Sequence, residues 1–186
     1  PKTIKVDPNE RGLILSNSML FFTSSSEINT LLNVFEKDIE SISSMDMKLK
    51  ETTKIKADLV FEIDNNLEDE EYSIQIGNNI IVNGGSYNAL AMAKSSLVQL
   101  LKHKKNKLIF PMLEIKDKPD SEYRGLLIDL ARMWHDVPTL KNIIDLASFY
   151  KIKYLQLHLS DDQSFTFPSE TFPKLATPCL LYTSDA

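Results

Sequence analysis

Hydrophobic positions along this chain switch between two periods. Residues 12–22, "GLILSNSMLFF", read as a strand, a polar break and a second strand. In the run that follows, Ile28, Leu31, Leu32, Phe35, Ile39 and Ile42 recur at three- and four-residue steps and share one helical face. Ser24 and Glu27 stand ahead of that run with capping-box spacing. Three short alternating segments come next, "ADLVFEI" (57–63), "EYSIQI" (71–76) and "NIIVNGG" (79–85), joined by the turn-forming pairs Asn65-Asn66 and Asn78-Asn79. Ser86 opens a second helix with Tyr87, Leu90, Ala93, Leu97 and Leu101 along one side, fading near Lys105. "KLIF" and "MLEI", around Pro111, close the block as two more strands. Residues 1–117 therefore predict a small α+β domain, a sheet covered by two helices.

Past the polar linker "KDKPDSE" (116–122) the pattern changes. "RGLLIDLA" (124–131) is a nearly continuous apolar strand. "VPTLKNIIDLASFYK" (137–151) is a helix with Leu140, Ile143, Ile144, Ala147 and Phe149 or Tyr150 on its buried side, and "IKYLQLHL" (152–159) is a second strand. Strand, four-turn helix and strand make a β-α-β unit, whose crossover length implies parallel strands. In parallel α/β folds the loops after the strand C-termini carry the chemistry. "HLSDDQSF" occupies such a loop, and it holds two adjacent carboxylates where a turn needs only one.

Composition narrows the reading. Hydrophobic residues at 42% and charged residues at 25% place the chain among globular proteins, and the net charge of −5 argues against a nucleic-acid surface. Its one basic cluster, Lys102–Lys107, follows the second helical pattern, where lysines suit the negative end of a helix dipole. No apolar run reaches the ~18 residues of a membrane span. The chain starts at Pro1 without a Met, so the lack of a leader says little about location. A single cysteine, Cys179, excludes an internal disulfide and a cysteine-based zinc site, and three histidines leave little for a histidine-rich one.

"RGLLIDLAR", "TLKNIIDLASFYKIKYLQLHLSDDQSF" and the trailing "FPKL", in that order and spacing across residues 123–175, resemble the start of the catalytic barrel of family 20 glycoside hydrolases, the β-N-acetylhexosaminidases. Residues 1–117, most visibly "YSIQIGNNIIVNGGSYNALAMAKSSLVQLL", resemble the α/β domain that precedes that barrel. The resemblance implies a first β-α-β segment of a truncated (β/α)8 barrel at 123–178, too little to close, with an exposed apolar face.

The resemblance also assigns residues. Arg124 matches the family arginine that donates to sugar hydroxyls in the cleavage subsite, a task for a guanidinium fork. It opens its strand, however, whereas barrel chemistry gathers at the other end. Asp161 matches the carboxylate that orients a histidine from a later strand beside the catalytic acid. His158, Asp162 and Trp134 shape the site, or are satisfied strand-end and turn residues. Asp129 and Arg132 form an ion pair read as scaffold, and Met133, where the family commonly has histidine, carries no role. The implied reaction is substrate-assisted. The 2-acetamido oxygen attacks the anomeric carbon, held by an Asp, while the adjacent Glu protonates the leaving oxygen and then activates water. That Asp-Glu pair belongs to a later strand, so the 186-residue chain alone is expected to be inactive.

No cofactor is implied. The partner is a glycan or chitooligosaccharide with a terminal N-acetylhexosamine, and family habit places the enzyme outside the cytosol or in a degradative compartment. Two other readings stay open: a non-catalytic α/β carbohydrate-binding or interaction module, and a metal-dependent barrel hydrolase with His158, Asp161 and Asp162 as ligands. Three ligands within five residues seldom converge on one ion. The last eight residues, 179–186, resemble translated sequencing-adaptor DNA and are read as a non-native tail, the alternative being a short apolar lead into the next helix.

Overall fold

A computed structural model gives the architecture; it describes residues 1–6, 12–105, 107–162, 164–167 and 169–176. The tail from residue 179 lies outside them. The chain divides into two compact units, Pro1–Asp120 and Ser121–Ala186.

The first unit runs β1 (Thr3–Val6), β2 (Leu13–Leu15), β3 (Ser18–Thr23), α1 (Ser26–Ser43), β4 (Lys48–Glu51), β5 (Leu59–Ile63), β6 (Tyr72–Ile76), β7 (Ile80–Gly84), α2 (Tyr87–Leu100), β8 (Lys102–Lys104), β9 (Lys107–Phe110) and β10 (Leu113–Asp117). Seven strands form one mixed sheet in the order β1-β10-β6-β7-β5-β3-β4. β7, β5, β3 and β4 pair in parallel, and the other neighbours pair antiparallel. A second, antiparallel sheet has the order β2-β9-β8. Alternation decides the faces: Tyr72, Ile74 and Ile76 of β6 are buried, while Gln75 between them is exposed. α2 lies against β5, β6 and β7, and α1 against α2, β3 and β4. Phe35, Ile39, Leu59, Phe61, Ile74, Val82, Leu90 and Leu97 make the centre of this core.

Two local expectations change. Ser24 does not complete a capping box; its Oγ accepts from the Ile63 amide at 3.2 Å, and α1 begins after Ser25. Closing the end of β5 takes the hydroxyl that the helix would have used. The lysines after α2 do not extend or cap that helix either. α2 stops at Leu100, and Lys102–Lys104 pair with β9, whose Leu108 and Phe110 are fully buried. Burial of that strand supplies a backbone ladder that another turn of lysines could not match. β1 and β4 are both edge strands with little apolar alternation of their own, and their neighbours dictate their pairing.

The second unit contains β11 (Gly125–Asp129), α3 (Val137–Phe149) and β12 (Tyr154–His158). The strands are parallel, with Gly125 opposite Tyr154 and Asp129 opposite His158. Pro138 sits in the first turn of α3, and the Asp136 carboxylate caps the helix by accepting from the Thr139 amide at 2.9 Å. Leu140, Ile143 and Ala147 are half-buried at helical spacing, and no residue of α3 is fully buried.

Candidate functional site

Parallel pairing brings the C-terminal ends of β11 and β12 together, and with them four charged or titratable side chains. Asp129 ends β11. Its Oδ1 accepts from the amides of Ala131 and Arg132, both at 3.1 Å, and its Oδ2 lies 2.8 Å from Arg132 Nε. These contacts hold the carboxyl below the ordinary range, chiefly through the Arg132 amide, with partial desolvation opposing and the guanidinium adding to the fall. Arg132 Nε also lies 3.3 Å from Asp161 Oδ2, so one guanidinium bridges the two strand ends. His158 Nε2 stands 3.4 Å from the same Asp161 oxygen.

The doublet splits its roles. Asp161 folds inward: Oδ1 accepts from the Ser164 amide at 3.0 Å, and its own amide donates to Ser164 O at 2.9 Å. The side chain is only 16% exposed, against 61% for Arg132. Asp162 is exposed in a bend. The Thr166 amide and hydroxyl both donate to Leu159 O, at 2.9 and 2.6 Å, fixing the loop that carries Asp161. Trp134 and His135 are half-buried on the segment between Arg132 and α3. Among the described residues no three His, Cys, Asp or Glu side chains group as a metal site would, so the three-ligand reading of His158, Asp161 and Asp162 finds no geometry here.

Arg124 does not join this cluster. It precedes β11 at the opposite end of the sheet, about 16 Å from Asp129 at ~3.3 Å per strand residue. Its Nε donates to Lys151 O at 3.1 Å and its Nη1 to Ser121 O at 2.6 Å. Its carbonyl accepts from the amides of Lys153 and Tyr154, and Tyr123 stacks on Tyr154 beside it with centroids 5.4 Å apart. This arginine staples the turn between α3 and β12. A residue before a strand sits at its N-terminal end, and two of the Arg124 guanidinium nitrogens donate to carbonyls of neighbouring turns. Arg132, read as scaffold in the sequence, stands instead at the C-terminal strand ends, paired with Asp129 and Asp161.

A bridged, partly buried carboxylate beside an imidazole, where two parallel strands end, is an arrangement that α/β enzymes use for chemistry. The chain belongs to glycosyl hydrolase family 20: residues 1–118 match the family's domain 2 and residues 121–185 its catalytic domain. It is similar to a beta-hexosaminidase of Vibrio furnissii, 28% identical over 120 residues that make 64% of this chain and 20% of that protein. It is also similar to the chitooligosaccharidolytic beta-N-acetylglucosaminidase of Bombyx mori, 30% identical over 62% of this chain and 22% of that one. The structure of the exo beta-N-acetylglucosaminidase of Vibrio harveyi in complex with N-acetylglucosamine superposes with a TM-score of 0.85 at 22% identity, covering 94% of this chain and 27% of that one. The chain thus spans about a fifth of the length of these curated relatives and about a quarter of that structure.

Proposed function

We propose that this chain is the domain-2 region and the first barrel segment of a β-N-acetylhexosaminidase, which removes terminal N-acetylhexosamine from glycans or chitin oligomers with retention, the substrate's acetamido oxygen acting as nucleophile. The observation that carries the reading is the Asp129–Arg132–Asp161–His158 cluster at the C-terminal ends of two parallel strands, in a chain whose two parts match domain 2 and the catalytic domain in order.

In this reading Asp161 is a supporting carboxylate. Held by Arg132 and the Ser164 amide, it keeps one oxygen oriented and charged, which fixes the tautomer and raises the basicity of an imidazole placed against it. Arg124 has the sugar-hydroxyl role that the resemblance assigns it, and Arg132 orders the carboxylates of Asp129 and Asp161. A guanidinium fork suits two neighbouring sugar hydroxyls better than an ammonium would. His158, Asp162 and Trp134 shape the rim. The carboxylic acid that protonates the leaving oxygen, and the Asp that orients the acetamide, come from a later strand. Residues 1–117 and 123–178 are the corresponding domains, and residues 179–186 are a non-native tail.

The test uses the longer protein and an aryl N-acetyl-β-glucosaminide. Asp161→Asn lowers kcat on the order of 100-fold, the low end for a positioned acid–base system. Arg124→Lys lowers kcat/KM at least ~10-fold, because an ammonium cannot serve two neighbouring sugar hydroxyls as a guanidinium fork does. The 186-residue chain alone gives no turnover. Unaltered sugar release in the Asp161→Asn enzyme would sink the assignment.

A further inference from the structure

The lysine hairpin β8–β9 has no part in the site above. From Tyr72 to Leu113 the sequence contains no Asp or Glu, although the chain has 26 acidic residues. Five lysines fall in that stretch. Lys94 is buried against Asp38 at 2.6 Å, and the other four, Lys102, Lys104, Lys105 and Lys107, are exposed on the hairpin without an ion pair among the described residues. Elsewhere in the first unit, Lys5, Lys48, Lys54 and Lys118 stand against carboxylates, and the exposed Lys37, Lys50 and Lys56, without an ion pair among the described residues, are scattered on other elements.

The register concentrates the charge. Lys104 pairs directly with Lys107, and Lys102 with Ile109, so Lys102, Lys104 and Lys107 project from one face, while Leu108 opposite His103 is buried beneath. Like charges directly opposite one another destabilise a sheet. Protection of an edge from aggregation accounts for lysines on β8, which is an edge. It does not account for Lys107, on the middle strand β9, nor for Lys105, held at φ 55° where Gly or Asn is the ordinary choice.

We propose that this face is a docking strip for an acidic polysaccharide, a polymer carrying sulfate or carboxylate groups. Lysines are mobile point charges, suited to irregularly spaced anions, and residues 102–109 contain no arginine whose fork would read a fixed geometry. Residues 102–109 contain no Phe, Tyr or Trp on which nucleotide bases could stack. The choice of a glycan over other polyanions rests on the glycosidase reading. The strip would hold the polymer by charge alone.

The experiment compares the full-length protein with the triple variant Lys102→Gln, Lys104→Gln, Lys107→Gln on immobilised heparin, at low and rising salt. The expected result is binding that weakens steeply with salt, and at least ~10-fold weaker binding by the variant, with unchanged turnover of a small aryl glycoside and an unchanged melting temperature. No binding by the parent protein, equal binding by the variant, or a preference for phosphatidylserine vesicles or single-stranded DNA over heparin each overturns the proposal. Heparin binding without aryl glycoside turnover would remove the glycosidase reading and leave the polysaccharide strip standing.

Discussion

The two units use apolar residues in opposite ways. In the first, Phe35, Leu59, Phe61, Ile74, Val82 and Leu90 are sealed from solvent by two helices on a seven-stranded sheet. In the second, Ile128, Leu130 and Ala131 are the buried apolar side chains among the described residues, while Leu127, Leu146 and Leu157 are exposed. The difference lies in the demand that each pattern makes. Alternating strands need one cover, and α1 and α2 supply it. Near-continuous apolar strands such as "GLLID" and "YLQLH" belong to parallel sheets with both faces covered, and one helix cannot meet that need.

The strongest way to break this comparison is to truncate one side chain in each unit. Phe61 is fully buried on β5, and Phe61→Ala costs about 3–5 kcal/mol through lost transfer energy and the cavity left behind. Leu127 is 55% exposed on β11, and Leu127→Ala in this chain costs below about 0.5 kcal/mol. Urea unfolding midpoints of the two variants check both figures. Equal losses would mean that the second unit has a core of its own.

A smaller effect tests the polar part of the first unit. Lys94 is almost wholly buried on α2, and Asp38 on α1 is its partner. Asp38→Ala leaves a buried ammonium unpaired and costs about 3 kcal/mol, whereas the double variant Asp38→Leu, Lys94→Met replaces the pair by apolar side chains and is near neutral. Differential scanning calorimetry separates the two. Tyr72 gives a smaller effect still, and one tied to pH. Burial first, and then its hydrogen bond to Asp117 at 2.7 Å, pushes its phenol above the ordinary range of about 10. The folded state therefore keeps a proton that the unfolded chain releases. The contribution is fully present below about pH 10 and is lost as pH rises beyond it. Tyr72→Phe costs about 1 kcal/mol at neutral pH and flattens the alkaline limb of a stability–pH curve.

How much of this was legible follows the same division. The apolar face of α1 was readable to within one residue, because Ile28 to Ile39 repeat at helical spacing; Ile42 alone is exposed, and Ser43 turns inward to donate to Ile39 O at 2.7 Å. β1, β4 and β8 were not readable. β1 and β4 are edge strands whose partners lie far along the chain, and β8, though it pairs with the next strand, is Lys-His-Lys with no apolar alternation, so local propensity carries no record of either. At the candidate site, the position of Asp161 followed from strand direction alone. The second ion pair of Arg132 was not legible: its pair with Asp129 is local, at i and i+3, while the contact with Asp161 spans 29 residues.

The finest contrast between the units lies at their helix starts. Ser86 caps α2 by accepting from the Ala89 amide at 3.3 Å, and its hydroxyl donates to Asp69 O at 2.6 Å. Asp136 caps α3 with a carboxylate, held below its ordinary range first by the Thr139 hydroxyl, then by the Thr139 amide, with the charge of His135 adding to the fall. Ser86→Ala costs about 1 kcal/mol at any pH, since a hydroxyl does not titrate. The Asp136 cap is present above the ordinary carboxylate range and is lost as pH falls through its lowered value. Acidification therefore frays α3 before α2, seen as faster amide exchange at Thr139 and Leu140 with Ala89 and Leu90 unmoved. Asp136→Asn keeps a good cap but removes the charge, so exchange at the start of α3 loses that acid dependence. Fraying that persists in the Asn variant would place its cause elsewhere, in a helix with too little packing to hold its own first turn.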